Sequence, residues 1–101
     1  MGKKPLEAAV QRDIKDAAWK LGFTVTEFSQ PRATMQTPGI PDLYLQHRAK
    51  GFRCWVEVKR EGGRLSTAQR AWLETERNAG GHAFVADSVV SFVEQLGWVE
   101  L

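Results

Sequence analysis

Apolar positions recur at helical spacing over residues 5–21, where Leu6, Val10, Ile14, Ala17 and Leu21 fall three or four apart. Pro5 suits a first helical turn and Gly22 a stop. FTVTEF, residues 23–28, is aromatic and β-branched and predicts a strand. Residues 29–41 carry three prolines and a glycine and predict a loop, long for so short a chain. Residues 42–47 and 52–59 both alternate, and RAKG between them is short enough for a hairpin. Residues 60–65 predict a flexible basic loop. Ser66 to Asn78 predicts a helix, with Ser66 and Gln69 spaced as a capping box and Gly80-Gly81 as the stop. Residues 82–87 predict a strand and residues 88–96 a short helix ended by Gly97. The order α-β-β-β-α-β-α predicts an α/β fold, a mixed sheet with helices packed against it.

The hairpin carries the first sign of chemistry. In residues 52–59, Phe52, Cys54, Val56 and Val58 share a face; Arg53, Trp55, Glu57 and Lys59 share the other. A four-residue RAKG loop pairs His47 with Phe52, Leu45 with Cys54 and Leu43 with Val56, a consistent core face. On the other face it sets Tyr44 against Trp55, Gln46 against Arg53 and Asp42 against Glu57. Like charges directly opposed across strands are destabilising. Lys59 supplies one compensating charge, and a divalent cation would supply more, since hard cations take carboxylate oxygens. On the first helix, Glu7 falls on the flank of the apolar stripe, as a first-turn acid or as a third acid aimed at the sheet.

The chain has 101 residues, which fits one domain spanning 1–101, and 43% hydrophobic with 26% charged residues is ordinary globular composition. No apolar run approaches the roughly 18 residues of a membrane span, and the charged N-terminus is unlike a secretory leader, which points to the cytoplasm. The single cysteine, Cys54, excludes an internal disulfide or a cysteine-built zinc cluster and reads as inert packing on the apolar face. His47 and His82 lack a metal-ligand partner at suitable spacing and read as structural or exposed. Trp19, Trp72 and Trp98 read as core or interface residues, whereas Trp55 stands on the polar face. The net charge of +2 is unevenly spread: residues 30–70 hold eight basic groups against three acids, and residues 71–101 one against five. A basic excess in one segment is the footprint expected for a polyanion, although surface charge also clusters by chance.

Gly39-Ile40-Pro41-Asp42, then Trp55-Val56-Glu57-Val58-Lys59, then Leu65-Ser66-Thr67-Ala68-Gln69 together resemble the PD-(D/E)XK nuclease superfamily. Pro41-Asp42 matches the first half-motif and Glu57-Val58-Lys59 the second. More narrowly, the chain resembles the standalone virus-type replication-repair nuclease (VRR-NUC) domains over roughly residues 5–96. The resemblance implies a restriction-endonuclease-like core. It implies a catalytic set of Asp42, Glu57, Lys59, Gln69 and Glu7. Asp42, Glu57 and the Val58 carbonyl would hold magnesium, or manganese in its place, with Glu7 an outer ligand. Lys59 would orient or activate the attacking water, and Gln69 would position Lys59 or the water. Each also has a plain structural reading: Asp42 as a turn residue, Glu57 and Lys59 as a surface ion pair, Gln69 as a capping residue.

DNA contact then falls to the loops beside the acids, where Arg32, Arg60 and Arg64 stand and Gly62-Gly63 lets backbone approach a phosphate. The resemblance implies an endonuclease for branched DNA, a homodimeric Holliday junction resolvase acting on four-way junctions. Within enzymes the alternative is a nuclease for flaps, nicks or ends. A non-catalytic DNA-binding module and a protein-interaction domain are the remaining classes. Apolar residues of the C-terminal segment, among them Val89, Val90, Phe92, Val93, Leu96, Trp98, Val99 and Leu101, are the candidate dimer surface.

Overall fold

The computed structural model describes residues 5–28 and 37–97. Arg32, Trp98, Val99 and Leu101 lie outside the described residues. The elements are α1 (Glu7–Lys20), β1 (Phe23–Glu27), β2 (Leu43–His47), β3 (Arg53–Val58), α2 (Thr67–Asn78), β4 (Ala83–Ala86) and α3 (Val89–Leu96). The predicted order holds, with each boundary within two residues.

The four strands form one sheet in the order β1-β2-β3-β4. The first three are antiparallel neighbours, and β4 joins β3 in parallel after crossing through α2. The hairpin register is the predicted one: Leu43 faces Val56, Tyr44 faces Trp55, Leu45 faces Cys54 and Gln46 faces Arg53. His47 closes it, with its N–H donating to the Phe52 carbonyl at 2.8 Å. The His47 ring also ties the turn. Nδ1 accepts the N–H groups of Ala49 and Lys50, both at 3.1 Å, so Nε2 carries the proton and donates to the Leu21 carbonyl at 3.1 Å. The structural reading of this histidine therefore holds.

One face of the sheet meets α1 and α3. Val10, Ile14 and Ala18 from α1, Phe92 and Leu96 from α3, and Phe23, Leu43, Leu45, Cys54, Val56 and Val58 from the strands form the buried core. Removing these side chains from water is the main stabilising term. Burial pushes the Cys54 thiol up to about 12, which agrees with inert packing. The α1 stripe differs from the expected one. Leu6 and Leu21 are 66% and 47% exposed, because they are the residues capping the helix and lie past the stretch that crosses the sheet. The buried line runs through Val10, Ile14 and Ala18, and Glu7 continues it at helical spacing toward the N-terminus.

The second face is partly covered by α2, whose Trp72 packs edge-on against Trp55 with ring centroids 4.8 Å apart. Arg77 Nε donates to the Ala83 carbonyl at 2.9 Å, pinning the end of α2 to β4. Trp72 thus agrees with expectation. Trp19 is not a core residue: it is 57% exposed, with the Arg48 guanidinium 4.2 Å above its ring. Its position on α1 is next to Ala18, off the buried line, so the ring serves as a platform for a cation on the surface.

Candidate active site

Hydrogen bonding along β2 explains how the first acid is placed. In an antiparallel pair, alternate residues direct their main-chain groups to one neighbour. His47 bonds to Phe52, the residue just before β3, so Leu45, Leu43 and then Pro41 also turn toward β3. Asp42 turns its carbonyl the other way, accepting the Phe28 N–H at 2.7 Å. Pro41 has no N–H to offer. The β2–β3 ladder therefore ends at Leu43 with Val56, one pair short of Asp42 and Glu57. The Asp42 side chain takes over: its Oδ2 accepts the Val58 N–H at 2.8 Å. The Val58 carbonyl, in the same alternation, faces the proline that cannot donate to it.

Pro41 is buried, and the turn before it is pressed against α2. Gly39 has φ +83°, and a Cβ there would overlap the Ala68 carbonyl. Glycine is required at this position both by conformation and by space. This contact couples the loop that carries Asp42 to the first turn of α2, which carries Gln69.

Glu57 is the buried polar residue of the described core, 2% exposed. Its Oε2 accepts from Gln69 Nε2 at 3.0 Å and faces Lys59 Nζ at 3.4 Å. Its Oε1 is buried with no hydrogen-bond partner. The Glu57 carboxyl is pushed up to about 7, first by burial and then by the negative charge of Asp42, against the pull of Lys59; Glu7 adds a smaller upward push. Glu7 is exposed, yet close enough for its charge to be felt at Glu57.

Gln69 also closes the capping box of α2. Its Oε1 accepts the Ser66 N–H at 2.8 Å while Ser66 Oγ accepts the Gln69 N–H at 3.1 Å. The capping reading and the site reading therefore both apply, one to each end of the same amide.

A buried carboxylate oxygen without a donor costs about 1–3 kcal/mol. The donor set fits a hard divalent cation: Glu57 Oε1, the Asp42 carboxylate beside it and the Val58 carbonyl. Among the described residues no three His, Cys, Asp or Glu side chains come together to hold a metal. Magnesium does not require that, since it keeps several waters and takes one or two carboxylates together with substrate phosphates.

A family model, the VRR-NUC domain, matches residues 5–90. The chain belongs to the VRR-NUC family. A solved VRR-NUC domain structure superposes with a TM-score of 0.75 at 26% identity, covering 93% of this chain and 97% of that one. No curated protein matches the sequence closely enough to count as a relative. Membership makes this a nuclease-type domain with DNA as its substrate class, in a family that generally uses a divalent metal. No helix among the described residues is long and apolar enough to cross a membrane.

Within this VRR-NUC domain, Asp42, Glu57, Val58, Lys59 and Gln69 come together at the C-terminal end of β3, and Glu7 stands farther off. Arg60 and Arg64 are exposed on the loop after β3, where Gly62 has φ +83° and the Gly63 N–H bonds back to the Arg60 carbonyl at 2.8 Å. His82 is exposed beside Phe52, with ring centroids 4.8 Å apart. Sequence reasoning missed an aromatic cluster on the same face. Trp55 has Tyr44 at 4.6 Å and Phe28 at 5.6 Å between ring centroids, in addition to Trp72. The signal was available: the register sets Tyr44 against Trp55, on the face that alternation assigns to polar residues.

Proposed function

We propose that this domain hydrolyses phosphodiester bonds as a magnesium-dependent endodeoxyribonuclease, with branched DNA, four-way junctions foremost, as its substrate. The observation that carries the proposal is the buried, unpartnered Glu57 Oε1 beside Asp42 and Lys59. Asp42, Glu57 and the Val58 carbonyl would hold the cation, and Glu7 would act on it through water. When bound, the cation supplies an attacking water of lowered pKa and polarises the phosphate. Lys59 Nζ, held by Glu57 Oε2, brings positive charge to the developing negative charge on the phosphate and orients the water. Gln69 keeps Glu57 Oε2 engaged, so Oε1 stays directed away from it. Arg60 and Arg64, with Arg32, bind flanking phosphates and give no sequence preference.

A homodimer is part of the same reading. Val90 and Val93, three apart on α3, are 67% and 44% exposed on the far side of the sheet from the candidate site. A two-fold pair joined there would present two sites to the two symmetric cleavage points of a junction. The acidic C-terminal segment would then face away from DNA. A labelled four-way junction, a flap and a linear duplex, incubated side by side with magnesium or EDTA, test the proposal. Paired incisions in the junction with magnesium alone are expected. Trimming of the flap alone favours the alternative enzyme reading, which the aromatic cluster near the site supports. No cleavage of any of the three leaves a DNA-binding module.

A further inference from the structure

At the opposite end of α2 from Gln69 lies a cleft of about 360 Å³ that includes none of the residues proposed above for metal, catalysis or phosphate contact. Tyr44, Arg53 and Trp55 form its sheet side; Glu76 and the turn after α2 form the other. Arg53 is exposed and, among the described residues, carries no ion pair, so the guanidinium and the Glu76 carboxylate border one cavity without neutralising each other. Trp55 is half-buried, braced by Phe28 and Trp72, and Tyr44 stands against it.

We propose that this cleft receives one unpaired nucleobase of the DNA strand, stacked against Tyr44 and Trp55 with its phosphate at Arg53. The chemistry of the lining selects that ligand. Aromatic faces take any base by stacking, and a lone guanidinium beside them takes the backbone phosphate. The Glu76 carboxylate repels phosphate from the α2 side, so the ring enters and the phosphate stays at the strand. The volume is near the lower limit for a ligand pocket and has room for a planar ring system. Arg53, Trp55 and Glu57 follow one another on one face of β3, and the four residue steps from Arg53 to Glu57 span about 13 Å of strand. A short unpaired stretch next to the cut site bridges that distance. The cleft therefore gives a physical basis for choosing branched or frayed DNA over continuous duplex. The proposal rests on DNA being the substrate, as above, but not on cleavage.

Binding is measured in EDTA, with the full chain and two DNAs carrying 2-aminopurine: one with the probe in a short single-stranded overhang, one blunt with the probe paired. Stacking is expected to quench the unpaired probe on binding. Tyr44→Leu and Arg53→Ala are expected to weaken overhang binding by about fivefold or more, and blunt-duplex binding by less than about twofold. Arg53 is exposed, so its replacement keeps the test valid should Tyr44→Leu fold poorly. An unquenched probe, or equal losses on both DNAs, overturns the cleft. Quenching by a protein that cleaves nothing with magnesium would sink the nuclease reading and leave the cleft standing; cleavage without quenching would do the reverse.

Discussion

Gln69 Nε2 donates to Glu57 Oε2 at 3.0 Å while Gln69 Oε1 accepts the Ser66 N–H at 2.8 Å. One amide thus joins the start of α2 to the buried acid of β3. Helix capping fixes the side chain, and the fixed side chain orients the carboxylate. Stability and site geometry are consequently linked at this residue.

Gln69→Ala is expected to lose both functions: about 0.5–2 kcal/mol of stability from the cap, and part of the cleavage rate. Gln69→Glu separates them. A glutamate at this position still accepts the Ser66 N–H, but it presents a carboxylate, not a donor, to Glu57. Its melting temperature should approach wild type at pH 5, where the pair keeps a proton, and fall below it at pH 8. Equal deficits at both pH values would refute the contact with Glu57.

Glu57 gives metal-free protein a specific pH dependence. Its carboxyl is raised to about 7 in the fold from an ordinary value of 4.5. The unfolded chain releases this proton first, so the group becomes destabilising as pH rises from 4.5 and reaches its full effect above 7. A shift of this size corresponds to at most about 3 kcal/mol. In EDTA, Glu57→Gln should therefore melt higher than wild type at pH 8, with the difference shrinking toward pH 5. Magnesium should raise the wild-type melting temperature at pH 8 and leave Glu57→Gln unchanged. A pH-independent difference between the two proteins would show that Glu57 does not titrate in this range.

Asp42→Asn, Glu57→Gln and Lys59→Ala should each abolish magnesium-dependent cleavage of junction DNA while far-ultraviolet circular dichroism stays native. Asn is chosen at position 42 because its amide oxygen still accepts the Val58 N–H, which Asp42→Ala would leave unpaired. Glu7→Ala should act more weakly, since Glu7 is exposed and its charge is a minor influence at Glu57. Wild-type turnover by Glu57→Gln would remove this constellation from the reaction.

Gly39→Ala should destabilise the fold by more than about 1 kcal/mol, because positive φ disfavours alanine and the added methyl overlaps the Ala68 backbone. Cleavage should fall as well in whatever fraction remains folded, since the Asp42 loop can no longer seat on α2. Thermal melts and single-turnover assays at matched folded fraction check both effects. An unchanged melting temperature would contradict the close approach.

Arg60→Ala and Arg64→Ala should weaken all DNAs alike and each reduce the slope of log affinity against log salt by about one unit or less. Binding titrations at several salt concentrations measure this. A loss restricted to one DNA sequence would mean base contact in place of phosphate contact.

Local pattern determined much of this protein before any coordinates. Alternation in residues 42–47 and 52–59, with a loop of only four residues between, leaves one register that buries both apolar faces, and that register is the one observed. The Ser66–Gln69 spacing made the helix start legible for the same local reason. Alternation put Asp42, Glu57 and Lys59 on one side, but tertiary structure decided how they meet. Pro41 ends the ladder and Asp42 closes the gap, the overlying layers strip water from Glu57, and Gln69 arrives from a helix twelve residues away. The α1 stripe was misread at its ends because periodicity assigns a face but not how far the helix runs over the sheet, which left Leu6 and Leu21 in solvent. Likewise, Trp19 and Trp55 have equal hydrophobicity in sequence. Only packing put one on the surface under Arg48 and the other at the wall of a cleft, because burial depends on what crosses over a residue and no residue carries that information alone.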